Sequence, residues 1–351
     1  MCVGSLLERM MAKIPPPTNT IASLIDAAHE KISADNDEPR SHLGCSMAGH
    51  PCDRWLWLSF RWAVRQRFQG RTLRIFRRGQ DEEATFVRDL RMIGIDIHET
   101  GIRQRRISFG WHTGGSIDGI IESGVPGAER KRHIAEFKTM NSKNFAKLER
   151  EGVEKAQPTH FVQMQLYMLA TGIDRALYVV VNKDDDSLYS ERVRFDADVA
   201  EKYRDRMIRI AQTERMPPPL SADPSWYQCK FCPAYEFCHD YQLTKQSNCR
   251  TCAHATPRES DWHCARWDDA IPVEAQRTGC RSHVLHPDLV PWKMKETDSE
   301  WEAIYLIDGT EVRNGETGYS SAEIIANPLL CSTNDPLVER VREEFGGEVS
   351  G

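Results

Sequence analysis

Between Gln80 and Glu214 the apolar residues switch repeatedly between helical and strand periods, which restricts the chain to folds that layer helices on a sheet. Phe86, Leu90 and Ile93 recur at helical spacing from about Gln80 to Ile93. From Ile107 to Ile121, and again from His133 to Thr139, the pattern turns short, β-rich and glycine-broken, as in RISFGWHTGGSIDGII. It reads as a bent hairpin feeding a central strand. Pro158 opens the next helix, PTHFVQMQLYMLATG, and Gly172 closes it. ALYVVVNK and SLYSERVRF then read as two strands joined by Asp184-Asp185-Asp186, before a charged helix from about Ala197 to Glu214. This order predicts a mixed α/β fold, a central sheet flanked by helices.

The 351 residues, 40% of them hydrophobic, are enough for a real core. Residues 1–40 read as a lead-in with a break at Pro15-Pro16-Pro17 and one amphipathic helix carrying Ile21, Leu24, Ile25, Ala28 and Ile32. A further helix is expected from about Arg54 to Phe68. Met216-Pro217-Pro218-Pro219 cannot continue a helix and marks a boundary. Apolar runs such as Ala176 to Val181 fall far short of the ~20 residues of a membrane span, and no secretory pattern opens the chain. The expectation is a soluble cytoplasmic protein of a bacterial or phage-infected cell, with no membrane partner. No GxxxxGKS/T loop is present, which argues against a nucleotide-driven motor within this chain.

The net charge of −6 gives no global argument for nucleic acid, but the average hides a local asymmetry. Arg54, Arg61, Arg65, Arg67, Arg71, Arg74, Arg77 and Arg78 share a stretch with no acidic residue, interleaved with Trp55, Trp57, Phe60, Trp62 and Phe68. One face can pack while the other meets phosphates, so the first six of these arginines are the expected DNA-binding set. The alternative is a solvated helix face.

In IAEFKT, Glu136 and Lys138 lie two residues apart on an expected strand, so both leave one face while Ala135 and Phe137 enter the core on the other. Asp118, in GGSIDGII, lies on the preceding strand-like segment, and strand pairing would bring its carboxylate beside Glu136. Two hard oxygen ligands in one pocket suit Mg²⁺ or Mn²⁺, completed by water and a substrate phosphate. Lys138 would orient the attacking water or stabilise developing negative charge.

This set resembles the PD-(D/E)xK nuclease superfamily over about residues 42 to 240, in particular its RecB-like branch and the phage exonucleases related to the YqaJ recombinases. The signature is Asp118, Glu136 and Lys138, followed by QMQLY, where Gln163 and Tyr167 match the branch's QxxxY motif. At i and i+4 of a helix both share a face. The resemblance implies a restriction-endonuclease-like core with Asp118, Glu136, Lys138, Gln163 and Tyr167 in the active site. It also places an acidic residue, often with a histidine, on the helix before the strands. That helix reads FRRGQDEEATFVRDL, with Glu82 and Glu83 in the acidic positions and Gln80 at the histidine position. Glu83 is the expected outer-sphere residue, and glutamine is a weak ligand beside imidazole.

Eleven cysteines without a secretory signal point to thiolate ligands more than to a disulfide framework. Cys229-x2-Cys232-x5-Cys238 supplies three thiolates and Cys52 can supply the fourth, with Cys45 a substitute. Four thiolates suit zinc or iron-sulfur, and spacing alone does not separate the two. GHPCDRWLWLSFRW resembles the N-terminal cysteine segment of iron-sulfur nucleases, a group that includes the CRISPR-associated RecB-like exonucleases and the AddB nuclease domain. That resemblance implies a 4Fe-4S cluster closing the nuclease core. Cys249-x2-Cys252-x11-Cys264-x15-Cys280 is a zinc pattern, with His254, His263 and His283 as alternative ligands. Cys2 and Cys331 have no role assigned.

The expected organisation is 1–40 lead-in, 41–240 nuclease core, 241–290 zinc module and 291–351 small C-terminal region, with a hairpin turn at Asp308-Gly309. The expected function is a metal-dependent DNA exonuclease of recombination, repair or phage DNA processing. Its expected partners are DNA and a helicase, recombinase or single-strand-binding protein. Two alternatives stay open: a structure-specific endonuclease on the same fold, and a metal-stabilised DNA-binding protein with a weak site.

Overall fold

A computed structural model describes residues 20–36, 38–333 and 335–350; Cys2 and Pro15-Pro16-Pro17 lie outside them. Two compact units are distinguished, one of residues up to Glu38 with Arg67–Asp81, the other of Pro39–Gln66 and Glu82 onward. In the first, helix α1 (Ile21–Asp35) starts where Thr20 Oγ1 accepts the Ser23 N–H at 3.2 Å. Glu30 accepts the Gly70 N–H at 2.7 Å, and Asp26 pairs with Arg74 at 2.9 Å. No helix among the described residues is long and apolar enough to cross a membrane.

The second unit contains the main sheet. Its elements begin with β1 (Leu43–Gly44), α2 (Asp53–Phe60) and the part from Glu82 of α3 (Gly70–Met92). Four strands follow: β2 (Asp96–His98), β3 (Arg106–Gly110), β4 (Thr113–Ser116) and β5 (Gly119–Ser123). Then come β6 (His133–Met140), α4 (Ser142–Ala156), α5 (Pro158–Thr171), β7 (Arg175–Asn182), β8 (Leu188–Arg194) and α6 (Ala197–Gln212). The mixed α/β expectation holds. Pro158 stands in the first turn of α5, and Gly172 takes the left-handed conformation at its end, φ +67°.

The main sheet has the order β2-β5-β6-β7-β8, with β6 and β7 parallel and the other neighbours antiparallel. A parallel pair needs a long crossover, and α4 and α5 supply it. Ala135, Phe137, Leu177, Val179 and Val181 pack on one face against Phe86, Val87 and Leu90 of α3. Ile134, Ala176, Tyr178 and Val180 pack on the other with Phe145, Leu148, Leu166 and Met168. Period-2 alternation along β6 therefore sends Glu136 and Lys138 toward the α5 side.

The bent hairpin expected in 107–121 is present as antiparallel β3 and β4, but these strands belong to a separate sheet, β1-β4-β3, and Asp118 sits in the bend before β5. One expectation needs correction. The helix expected to reach Phe68 stops at Phe60. Trp62 then takes a left-handed φ of +54°, which a bulky side chain resists. Its indole N–H donates to Arg40 O at 2.9 Å and its ring lies 3.8 Å from the Arg250 guanidinium, contacts that hold the turn.

After the triple proline, β9 (Ala255–Pro257), β10 (Trp262–Cys264) and β11 (Asp269–Ile271) form an antiparallel sheet. Residues 241–290 do not have a core of their own: Ala255, Trp262, Ile271 and Leu289 join the cluster that contains Trp57 and Leu58. A further sheet, β12 (Met294–Lys295), β13 (Ala303–Ile307) and β14 (Thr310–Asn314), covers Val284, Tyr305 and Ile324. Asp308 and Gly309 turn β13 into β14 with φ +48° and +81°, as the sequence predicts.

The Phe86 and Phe137 rings stack at 5.1 Å between α3 and β6, and Phe137 is buried. Phe137→Ala is expected to cost roughly 3–5 kcal/mol, read as a lowered urea midpoint. A loss under about 1 kcal/mol would mean this layer is not part of the cooperative core.

Candidate active site

Glu136 lies on β6, the middle strand of the main sheet, and is 0% exposed; Lys138 is 27% exposed and its ammonium lies against Glu136 Oε1. The other carboxylate oxygen, Glu136 Oε2, is buried without a hydrogen-bond partner. Asp118 Oδ2 accepts the Phe137 N–H at 2.8 Å, a bond that ties the bend before β5 to β6. Glu83, from α3, accepts from Gln104 Nε2 at 3.0 Å and faces Asp118 and Lys138 electrostatically. The structure thus brings Asp118, Glu136, Lys138 and Glu83 together.

Electrostatics here is dominated by lost hydration. Burial pushes the Glu136 carboxyl up to about 8; Lys138 opposes that shift, and the like charge of Asp118 adds to it. Asp118 and Glu83 are also raised, each first by burial. Burial acts to lower Lys138, but Glu136, Asp118 and Glu83 together outweigh it and its pKa lies above the ordinary lysine value. One ammonium is shared by three carboxylates.

Gln163 and Tyr167 lie on the α5 side of this centre, both buried, with Gln163 Nε2 donating to Tyr167 Oη at 3.1 Å. Burial raises the Tyr167 hydroxyl, with Glu136 adding to it, so the phenol stays protonated as a donor. A β-carbon at Gly115 would sit 2.9 Å from Tyr167 Oη and 3.3 Å from Cys45 Cβ. Cys45 therefore belongs beside the carboxylate centre.

The sequence reading missed His160. Its Nδ1 and the Tyr178 hydroxyl are 2.7 Å apart, and Tyr178 is the register partner of Glu136. Burial, then Lys138, pushes His160 down to about 3, so it is neutral. The signal was present in PTHFVQMQLY, where His160 precedes Gln163 by three residues on one helix face.

The donor set fits a hard divalent cation: oxygen ligands, one buried oxygen without a partner, and carboxylates whose charge burial penalises. Among the described residues, no group of three or more His, Cys, Asp or Glu side chains is already set at ligating geometry. Lys138 instead lies against Glu136.

The expected DNA-binding arginines divide. Arg61 is 1% exposed, lies 4.8 Å from the Trp57 ring and donates to Arg250 O at 3.3 Å, so it is a core residue and not a phosphate contact. Arg54 donates to Pro217 O at 2.8 Å, and Arg74 is paired with Asp26. Arg65 is half-buried, while Arg67 and Arg71 are exposed.

Cys52, Cys229, Cys232 and Cys238 line one small cavity of about 20 Å³. Burial pushes the Cys232 thiol up to about 11, with the neighbouring Cys52, Cys238 and Cys229 adding to it. Cys45 does not line this cavity and lies instead beside Gly115 and Tyr167. In the second set, burial pushes Cys249 up to about 12 and Cys252, Cys280 and Cys264 reinforce it. The histidine alternatives are engaged elsewhere: His283 with Ser321 Oγ at 2.7 Å and Asn248 O at 2.9 Å, His254 with Trp301 O at 3.1 Å, His263 with Asp268 at 3.1 Å. Cys331 is buried in the third core cluster.

No family model and no curated protein matches the chain. Among solved structures it is similar to an alkaline exonuclease, LHK-Exo, from Laribacter hongkongensis, at 17% identity and TM-score 0.34 over 49% of this chain and 87% of that one. LHK-Exo in complex with dAMP gives 17% and 0.37 over 53% and 89%. SSO0001 gives 14% and 0.37 over 63% and 96%.

A carboxyl group whose pKa rises on folding binds its proton more tightly in the folded chain, so stability falls as pH rises from the ordinary glutamate value to about 8. Without divalent metal, the melting temperature should drop between about pH 5 and about pH 8, and Glu136→Gln should flatten that drop. Saturating Mg²⁺ should oppose it in the unsubstituted protein. Equal slopes for Glu136→Gln and the unsubstituted chain would remove Glu136 as the cause.

Proposed function

We propose that this chain is a metal-dependent deoxyribonuclease of the PD-(D/E)xK type on a restriction-endonuclease-like core, acting as an exonuclease. The observation that carries the reading is the unpartnered Glu136 Oε2, buried beside Asp118 and Lys138 in the middle of the main sheet. An isolated buried carboxylate is costly, and a divalent cation with a phosphate is the ligand that removes the cost.

Asp118 and Glu136 would hold Mg²⁺ or Mn²⁺, which when bound lowers the pKa of a water and neutralises phosphate charge. Lys138 donates to the attacking water or to the non-bridging phosphate oxygen that gains charge. The water oxygen bonds to phosphorus and gives up a proton to solvent, one bridging P–O bond breaks, and the departing oxygen takes a proton from solvent. Glu83 holds Gln104 and adds outer charge near Asp118. Tyr167, fixed by Gln163, presents a protonated hydroxyl to the same side. The reading extends to DNA recombination, repair or phage DNA processing, beside a helicase, recombinase or single-strand-binding protein.

The two cysteine sets belong to the same proposal. Cys52, Cys229, Cys232 and Cys238 would hold a 4Fe-4S cluster, and Cys249, Cys252, Cys264 and Cys280 would hold zinc; four thiolates suit either group. Their role is to clamp the chain. Support comes from the shared cavity of the first set and the mutual electrostatic influence of the second.

Purified protein with end-labelled linear and closed circular DNA, with and without Mg²⁺ or Mn²⁺, tests the activity. Cutting of linear DNA alone is expected; cutting of both makes the enzyme an endonuclease, and cutting of neither makes the chain a binding protein. Lys138→Ala and Asp118→Ala should each lose ~10²-fold or more in rate with the fold retained. Near-normal rates in both would place the active site elsewhere. After anaerobic purification, Cys232→Ala should lose iron and brown absorbance while keeping about one zinc per chain. Two zinc and no iron in the unsubstituted protein would overturn the cluster assignment and leave the nuclease assignment standing.

A further inference from the structure

Beside the carboxylate centre runs an open groove of about 410 Å³, lined by His42, Arg106, Ser108, His112, Gly115 and Ser116 among others, none of its lining residues acidic. The arginines acting on His42 are Arg40, Arg106 and Arg250, while burial lowers the pKa of His112 and favours its neutral form. Arg250 is buried and spent on Ser41 O and Phe60 O, each at 2.9 Å, so it contributes field without reaching solvent. Arg106 is exposed at the start of β3, and its register partner is Ser116, two residues before Asp118. His112 Nε2 is 3.0 Å from Asp261 O, and the Asp261 carboxylate also acts on this ring.

The floor of the groove is main chain. A β-carbon at Gly114 would stand 2.2 Å from Ile107 O, and one at Gly115 would stand 2.9 Å from the Tyr167 hydroxyl, so neither position takes a side chain without a shift of its neighbours. The Tyr167 hydroxyl under Gly115 is the one bonded to Gln163. One side chain therefore separates the groove floor from the catalytic side of α5. A four-residue strand such as β4 spans roughly 13 Å at about 3.3 Å per residue, and Arg106 and Ser116 stand opposite each other at one end of the β3–β4 pair.

We infer that this groove binds the phosphodiester backbone of a nucleic-acid strand leading into the carboxylate centre, with Arg106 as its principal phosphate contact and Ser108 and Ser116 as hydroxyl donors. The placement of the strand rests on the nuclease reading; the binding itself does not. It adds a phosphate-contacting surface at the β3–β4 edge to the 54–78 stretch, in which Arg61 is buried and Arg67 and Arg71 are exposed.

The test is fluorescence anisotropy of the full chain with a labelled single-stranded oligonucleotide in EDTA, where no cleavage occurs, repeated over a salt series. Arg106→Ala should weaken binding about tenfold and lower the salt slope by about 0.7 units, while Arg106→Lys keeps most of the slope. Arg340→Ala, in the helix Pro336–Phe345 where Arg340 pairs with Glu344 and does not line the groove, is the control and should bind as the unsubstituted chain does. Unchanged affinity and slope in both Arg106→Ala and Arg106→Gln, with unchanged melting temperature, would overturn the inference. Inorganic phosphate competing as effectively as the oligonucleotide, phosphate for phosphate, would overturn it too, because the groove would then be a single-anion site. Arg106-dependent binding by a chain that cuts no DNA under any metal condition would sink the nuclease reading and leave the groove assignment intact.

Discussion

The arrangement turns on a carboxylate that water does not reach. Glu136 is sealed in the middle of the main sheet with one oxygen against Lys138 and the other without a donor. Desolvation favours its neutral form, and only a fixed positive charge makes the anion tolerable. Much of the surrounding architecture serves that condition. The Phe137 N–H holds Asp118 beside it, α5 closes one side with Tyr167 and His160, and α3 brings Glu83 to the edge. It is this crowding of negative groups, with one lysine among them, that the proposed cation and anionic substrate would relieve.

What the sequence made legible was whatever depends on short-range period. Glu136 and Lys138 on one strand face, Gln163 and Tyr167 one helical turn apart, and the proline and glycine that bound α5 all follow from local geometry. The Asp308-Gly309 turn follows from backbone preference in the same way. What stayed hidden depends on contacts between distant segments. Arg61 looked like a surface cation because nothing near it says that Trp57 and Trp262 will enclose it or that the Arg250 carbonyl will receive it. The end of α2 was invisible for the same reason, since Trp62 leaves the helix to meet Arg40 and Arg250. Cys45 could not be told from Cys52 by spacing, and only the fold sends one to Tyr167 and the other to the Cys229 cavity.

The two cysteine sets differ in what they would hold in place. Cys52 caps the start of α2, its sulfur accepting the Trp55 N–H at 3.4 Å, so the cavity it shares with Cys229, Cys232 and Cys238 joins that helix to the segment after the triple proline. The second set includes Cys264 on β10, in a small antiparallel sheet whose Trp262 is wholly buried in the main core. Asp118, Glu136 and Glu83 do not line the cavity of the first set.

Between Cys249 and Cys252 stands Arg250, fully buried, its charge met by the carbonyls of Phe60 and Ser41, the amide oxygen of Gln276 and the faces of Trp62 and Trp262. No carboxylate balances it there, and burial pushes its pKa down to about 9. A guanidinium so placed behaves like a bolt through two plates: it is tolerable only while the loop that carries it and the turn that receives it stay together. If the cysteine loop opened, the charge would have to withdraw to water and leave a polar hole under α2. The C-terminal cysteine segment is for that reason not a detachable appendage, and heat or denaturant should find a single melting unit where the sequence showed two neighbours.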